Sequence, residues 1–253
     1  MNVEICVDSV ESAIAAANGG AERIELCSAL SEGGITPSSG LIRTVRSAVD
    51  IDLFVIIRPR GGDFVYSDRE LEVMARDIDE AKVLGVNGVV LGILTAKGAV
   101  DGARTRTLIE HARPMQVTFH RAFDVCNDLG RALEDVIACG ADRLLTSGGA
   151  PDAVRGSRQI AQIRQQAGDR IRIMAGGGIR TSNVRNLALR TGVIEVHTSL
   201  SVPETNVRRT GVHHPEMSFG GCTRFQVMEE DVRAFRAALA ADTPASRTRA
   251  FVQ

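Results

Sequence analysis

Two short motifs repeat one piece of chemistry: Glu4-Ile5-Cys6 and Glu25-Leu26-Cys27 each set a carboxylate two residues before a thiol. On extended backbone, residues two apart share a face, so each motif presents its acid and its sulfur together. Adjacent strands lie ~4.8 Å apart, close enough for the two sulfurs to share a soft metal such as Cu(I). The same spacing equally suits two small buried hydrophobes, a common role for free cysteine. Thr118-Phe119-His120 and Glu195-Val196-His197 continue the alternation with imidazoles and another acid. Carboxylates and imidazoles brought to one place can move protons. They can also form an internal salt-bridge network, with Arg23 and Arg58 neutralising Glu4 and Glu25. Arg58-Pro59-Arg60-Gly61-Gly62 adds two guanidiniums able to grip a carboxylate or phosphate. Gly176, Gly177 and Gly178 offer either backbone N–H groups for an anion or a tight turn that needs positive φ.

These residues need elements to position them. Short aliphatic or β-branched runs near 3–6, 23–27, 53–58, 88–92, 116–120, 143–147, 171–175 and 194–198 read as strands. Helical stretches alternate with them. Residues 71–84 put Leu71, Met74, Ala75, Ile78 and Ala81 on one face, and Ser67 with Glu70 forms a capping box. Thr36-Pro37 reads as an N-cap followed by proline at the first helical position. Gly20, Gly85, Gly140, Gly168 and Gly192 follow helices, as C-terminal caps do. Eight strands alternating with helices predict a (β/α)8 barrel, α/β in class and a single domain. An open doubly wound sheet is the alternative, but strand one ends in Cys6-Val7-Asp8 without a glycine fingerprint. The barrel is expected to span 1–241, with an irregular loop 200–221 over the mouth and a last helix around 229–240. Residues 242–253 are expected to be a frayed tail. The segment Gly20-Ala21-Glu22-Arg23-Ile24 echoes Gly140-Ala141-Asp142-Arg143-Leu144, four strands apart, as a duplicated half-barrel would.

Parallel barrel strands are buried on both sides, so polar residues on them point into the lumen. Glu4, Glu25, Arg58, His120, Glu195 and His197 are thus expected to converge near the C-terminal strand ends, where sites of this fold lie. Phosphate seats in barrels commonly use the loops after strands seven and eight, which here hold Gly176, Gly177, Gly178 and His197. His111, the adjacent His213 and His214, and Cys126, Cys139 and Cys222 are read as structural or solvent-exposed.

Composition narrows the classes. With 30 Lys+Arg against 31 Asp+Glu, phosphate-driven nucleic-acid binding is not expected. One Tyr and no Trp leave no base-stacking platform. No run of 18 apolar residues would span a membrane. Five cysteines without a CxxC pair suit a reducing cytoplasm. The two lysines, Lys82 and Lys97, fall outside the expected lumen, which argues against Schiff-base chemistry.

The motifs above, together with residues 32–38, 56–64, 117–124 and 145–149, stand in collinear order over the first 200 residues. In them the chain resembles the CutC family of copper homeostasis proteins; after Ser201 the likeness is weak. The resemblance implies a TIM barrel, a cytoplasmic location, homodimers or higher homo-oligomers, and Cu(I) bound by Cys6 and Cys27 with no organic cofactor. Glu4 and Glu25 would then support the thiolates. The alternative expectation is an isomerase- or aldolase-like enzyme acting on a small anionic, sugar-like or phosphorylated substrate. There Glu4, Glu25 or His120 would be general acid or base, Arg58 and Arg60 clamps, and Gly176, Gly177, Gly178 and His197 the anion seat. The expected partner is a copper ion or a small anion, with neither nucleic acid nor membrane.

Overall fold

The computed structural model describes residues 1–203 and 225–240. Eight parallel strands, β1 (Asn2–Val7), β2 (Arg23–Leu26), β3 (Asp52–Ile56), β4 (Gly88–Leu91), β5 (Gln116–Phe119), β6 (Arg143–Thr146), β7 (Arg172–Gly176) and β8 (Glu195–Thr198), close in sequence order into a barrel. Helices α1 (Val10–Asn18), α2 (Ser39–Ala48), α3 (Asp68–Val83), α4 (Gly102–Ala112), α5 (Leu129–Ala138), α6 (Ser157–Ala167) and α7 (Val184–Thr191) alternate with the strands. This is the predicted (β/α)8 barrel. Val3, Ile5, Ile24, Leu26, Val55 and Val117 pack outward into the shared core with helix residues such as Met74 and Ile78.

The caps show why the helices begin and end there. The Ser67–Glu70 capping box opens α3, as predicted. The expected cap at Thr36-Pro37 is two residues early: Ser38 caps α2, its hydroxyl accepting from the Leu41 amide. Thr36 is occupied elsewhere, because its hydroxyl bonds both the amide and the carbonyl of Arg58. Gly20, Gly85, Gly140, Gly168 and Gly192 all have positive φ, which lets helices stop without a Cβ clash.

Beyond β8, the start of the expected irregular loop is instead a strand. β9 (Ser201–Pro203) pairs antiparallel with β10 (Phe225–Val227), and α8 (Glu229–Ala240) follows. α8 packs between α7 and α1 and closes the ring of helices. Val232 sits against Gly19 so closely that a Cβ there would lie 2.4 Å from the Val232 Cβ, and Phe235 is fully buried. His213, His214, Cys222 and the expected tail at 242–253 lie outside the described residues.

The register sorts the lumen into layers of four side chains drawn from alternate strands. Arg23, Gly88, Arg143 and Glu195 lie at the N-terminal strand ends and form the floor. Glu4, Phe54, Thr118 and Met174 come next, then Glu25, Val90, Leu145 and His197. Cys6, Ile56, His120 and Gly176 face one another nearest the mouth. In a closed eight-strand barrel, β5 stands opposite β1, so His120 faces Cys6 across the lumen.

Candidate functional site

Alternation on β1 and β2 brings the two motifs together as the sequence suggests. The Cys6 and Cys27 sulfurs are 3.5 Å apart, and both residues are buried. A ligand oxygen of Glu25 and both sulfurs lie within 4.8 Å of one another; Glu4, Glu25 and His197 make a second such trio. His197 Nδ1 is 2.7 Å from Glu4 Oε1, and its Nε2 is 3.7 Å from Glu25 Oε2. Gly34 leaves room for Cys27, whose sulfur would be 3.3 Å from a Cβ at that position.

The charges are arranged in series. Burial opposes ionisation of Glu4, but Arg23 and His197 outweigh it and hold the carboxyl at about 2. Burial also works against a charged His197, yet its bonds to Cys6 and Glu4 raise the imidazolium well above its ordinary range. Cys6 and Cys27 share an S–H···S bond, and that bond, with His197 beside it, draws Cys6 down to about 6 against burial. The same bond, burial and the adjacent negative sulfur push Cys27 well up. Burial and the Cys6 charge likewise raise Glu25 well above the carboxylate range. Taken together, these shifts favour a thiolate within the cysteine pair beside a charged His197, with Glu4 held ionised and Glu25 shifted toward its protonated form. A deprotonated thiol is what a soft metal ligand or a nucleophile requires.

Beneath this cluster the floor is ionic. Arg23 Nε bonds Glu4, and its Nη2 reaches Glu195 Oε2 at 2.7 Å. Arg143 Nε bonds the same Glu195 oxygen at 2.5 Å. Both guanidiniums stack on the Phe54 ring, at 5.0 and 5.3 Å. Glu195 therefore belongs to the floor and not to the mouth, because it is the first residue of β8. Arg143 is the floor residue that the sequence reading missed; its echo of Arg23 was the available signal. The expected pairing of Arg58 with Glu25 does not occur. Arg58 instead donates to the carbonyls of Glu32, Gly34 and Gly62 at 2.7–2.9 Å and braces two mouth loops.

A cavity of about 830 Å³ opens above the thiols. Cys6, Glu25, Cys27, Arg58, His120, Gly177, Gly178 and His197 all line it. Gly176 ends β7 just below; a Cβ there would lie 2.5 Å from Leu145. Arg60 is not brought to the lining. Its guanidinium is held by Glu70 at 2.5 Å and Asp63 at 3.2 Å and stacks on Tyr66, outside the mouth. The Gly148 and Gly149 loop is structural: Asp124 accepts from the Ser147 and Gly149 amides and pairs with Arg121. His111 lies with its Nε2 2.8 Å from Asp79 Oδ1, away from the lumen.

A closed (β/α)8 barrel with paired thiols and a carboxylate–imidazole cluster in its mouth defines a barrel protein equipped for a soft metal or for thiol chemistry. The CutC family model matches residues 1–202, so the chain belongs to the CutC family. It is 48% identical to a CutC family protein of Chromobacterium violaceum over 94% of this chain and 97% of the relative. The human copper homeostasis protein cutC homolog is 50% identical, over 78% of this chain and 72% of its own length. The crystal structure of the copper homeostasis protein CutC from Streptococcus agalactiae aligns with a TM-score of 0.74 and 32% identity, covering 79% of this chain and 98% of that one.

Proposed function

We propose that this protein binds Cu(I) as cargo through Cys6 and Cys27. The observation that carries this reading is the pair of buried sulfurs 3.5 Å apart, with a carboxyl oxygen of Glu25 in reach. Two thiolates select a soft cation over the hard, oxygen-preferring ones. The His197 imidazole beside the pair favours a thiolate there, and binding a soft metal would release the remaining thiol proton. Glu4 and Arg23 support the reading from below by fixing His197 beside Cys6. The names of the human and streptococcal relatives point the same way. Cys6, Cys27, Cys126 and Cys139 are all unpaired, which suits a cytoplasmic location. No helix among the described residues is long and apolar enough to cross a membrane.

The deciding experiment is an anaerobic Cu(I) competition titration against a chromogenic chelator. Wild type and Cys126→Ser should compete equally, whereas Cys6→Ser with Cys27→Ser should lose the site. Equal stoichiometry and affinity in the double variant would sink the assignment. An assembly of two or more chains completes the proposal, and light scattering that returned the monomer mass would remove that part.

A further inference from the structure

The cavity is much larger than an ion needs, and its two walls differ. Organic ligands occupy pockets of roughly 300–1,000 Å³, a range that includes the volume here. The β1, β2 and β8 wall is electrically settled, because Arg23 balances Glu4 and His197 stands by Cys6. The opposite wall, at β3 and β5, is not.

Arg58 is 4% exposed and its hydrogen bonds all go to carbonyl oxygens. Among the described residues no carboxylate forms an ion pair with it. A buried cation without a counter-ion is costly, and such a group is ordinarily matched by an anion. By contrast Arg121, also in the lining, is already paired with Asp124.

His120 supplies the second observation. The residue is 6% exposed, and its Nδ1 accepts the Ala122 amide at 3.2 Å, which leaves the hydrogen on Nε2. Nε2 is buried and has no partner. Burial and Arg58 depress His120 to about 3, so the ring is a neutral donor at working pH. Gly92 holds the ring in this orientation, since a Cβ there would lie 2.5 Å from Nδ1. Phe64 lies over both groups, 5.0 Å from the His120 ring and 5.1 Å from the Arg58 guanidinium, and also lines the cavity.

We propose that this wall binds a small organic oxyanion, a carboxylate or a phosphate ester, which neutralises Arg58 and accepts the Nε2 hydrogen of His120. The site shares the cavity with the thiols but does not depend on them. The loop carrying Gly177, Gly178 and Arg180 completes the lining on the β7 side.

The test is calorimetry on the full, metal-free chain in a buffer free of phosphate and carboxylates. The probes are malate and glycerol 3-phosphate, and the histidine ring nitrogens are followed in parallel by NMR. At least one probe should bind saturably and shift the His120 ring signals; which one does so separates carboxylate from phosphate ester. His120→Asn keeps an acceptor for the Ala122 amide, but its shorter side chain places no donor at the Nε2 position, and it should weaken binding about tenfold or more. Cys6→Ser with Cys27→Ser should bind the probe as wild type does, whatever its Cu(I) result. Failure of both probes to bind or to move the His120 signals overturns the proposal. So does wild-type affinity in His120→Asn, or loss of probe binding in a folded double cysteine variant. Arg58→Lys is a poorer probe because Arg58 also braces two loops; the wild-type NMR signals do not depend on it.

Discussion

Glu4 accepts from Arg23 on one oxygen and from His197 on the other, so a single buried carboxylate joins the floor of the barrel to its mouth. Removing one partner of such a network leaves an uncompensated buried charge, a loss of about 3–5 kcal/mol. Arg23→Met should accordingly lower the unfolding free energy, by up to about that amount, in urea melts, because Glu4 is left with His197 and Glu195 with Arg143 against the same burial. Glu195→Gln, which leaves two guanidiniums facing each other over Phe54, should be similarly harmful. His120 sets a pH dependence of its own. Its folded-state pKa, about 3, lies below its ordinary 6.5, so the unfolded chain takes up the proton first. Stability is therefore intact above 6.5 and falls as pH drops toward 3. The slope approaches about 1.4 kcal/mol per pH unit for this one proton. Urea melts between neutral and acidic pH should show that fall in wild type and a shallower one in His120→Asn. At this scale the sequence was legible wherever strand alternation held. Glu4, Cys6, Glu25 and Cys27 point inward as two-residue spacing requires. Arg60, two residues beyond Arg58, does not, because β3 has already ended at Ile56 and the loop turns the side chain toward Glu70.

Elements place these residues through contacts that a propensity reading cannot see. Gly92 follows β4 and reads as a strand end, yet its missing side chain is the space His120 occupies. Gly88 does the same for Phe54, whose ring would lie 2.5 Å from a Cβ there. Gly92→Ala should therefore displace the His120 ring while the barrel stays folded, and the histidine NMR signals would report the change. Unchanged His120 signals would show that the ring does not depend on that gap. The caps behave more simply. Ser67 was recognisable from Glu70 three residues on, and Ser67→Ala should cost α3 about 1 kcal/mol. Ser38 was obscured by the Thr36-Pro37 pair, because nothing local to the sequence says that Thr36 is held by Arg58, just beyond the end of β3.

On the scale of the whole molecule, the barrel halves resemble each other beyond the quoted pentapeptides. Glu22 accepts the Val3 amide at 2.9 Å, and Asp142 accepts the Val117 amide at 2.7 Å, in equivalent places before β2 and β6. Arg23 and Arg143 follow them and meet on Glu195. Eight-fold alternation was readable from periodicity. The closing role of α8 was not, since it depends on Val232 fitting over Gly19 and Phe235 filling the gap between α1 and α7. Phe235→Ala should cost about 3–5 kcal/mol, as a buried aromatic in a packed interface does, with a loss of cooperativity if the ring opens there. The Arg23–Phe54–Arg143 stack has one more consequence. It stoppers the barrel from below, so the lumen is a cup and not a conduit. Whatever enters must leave past the same rim.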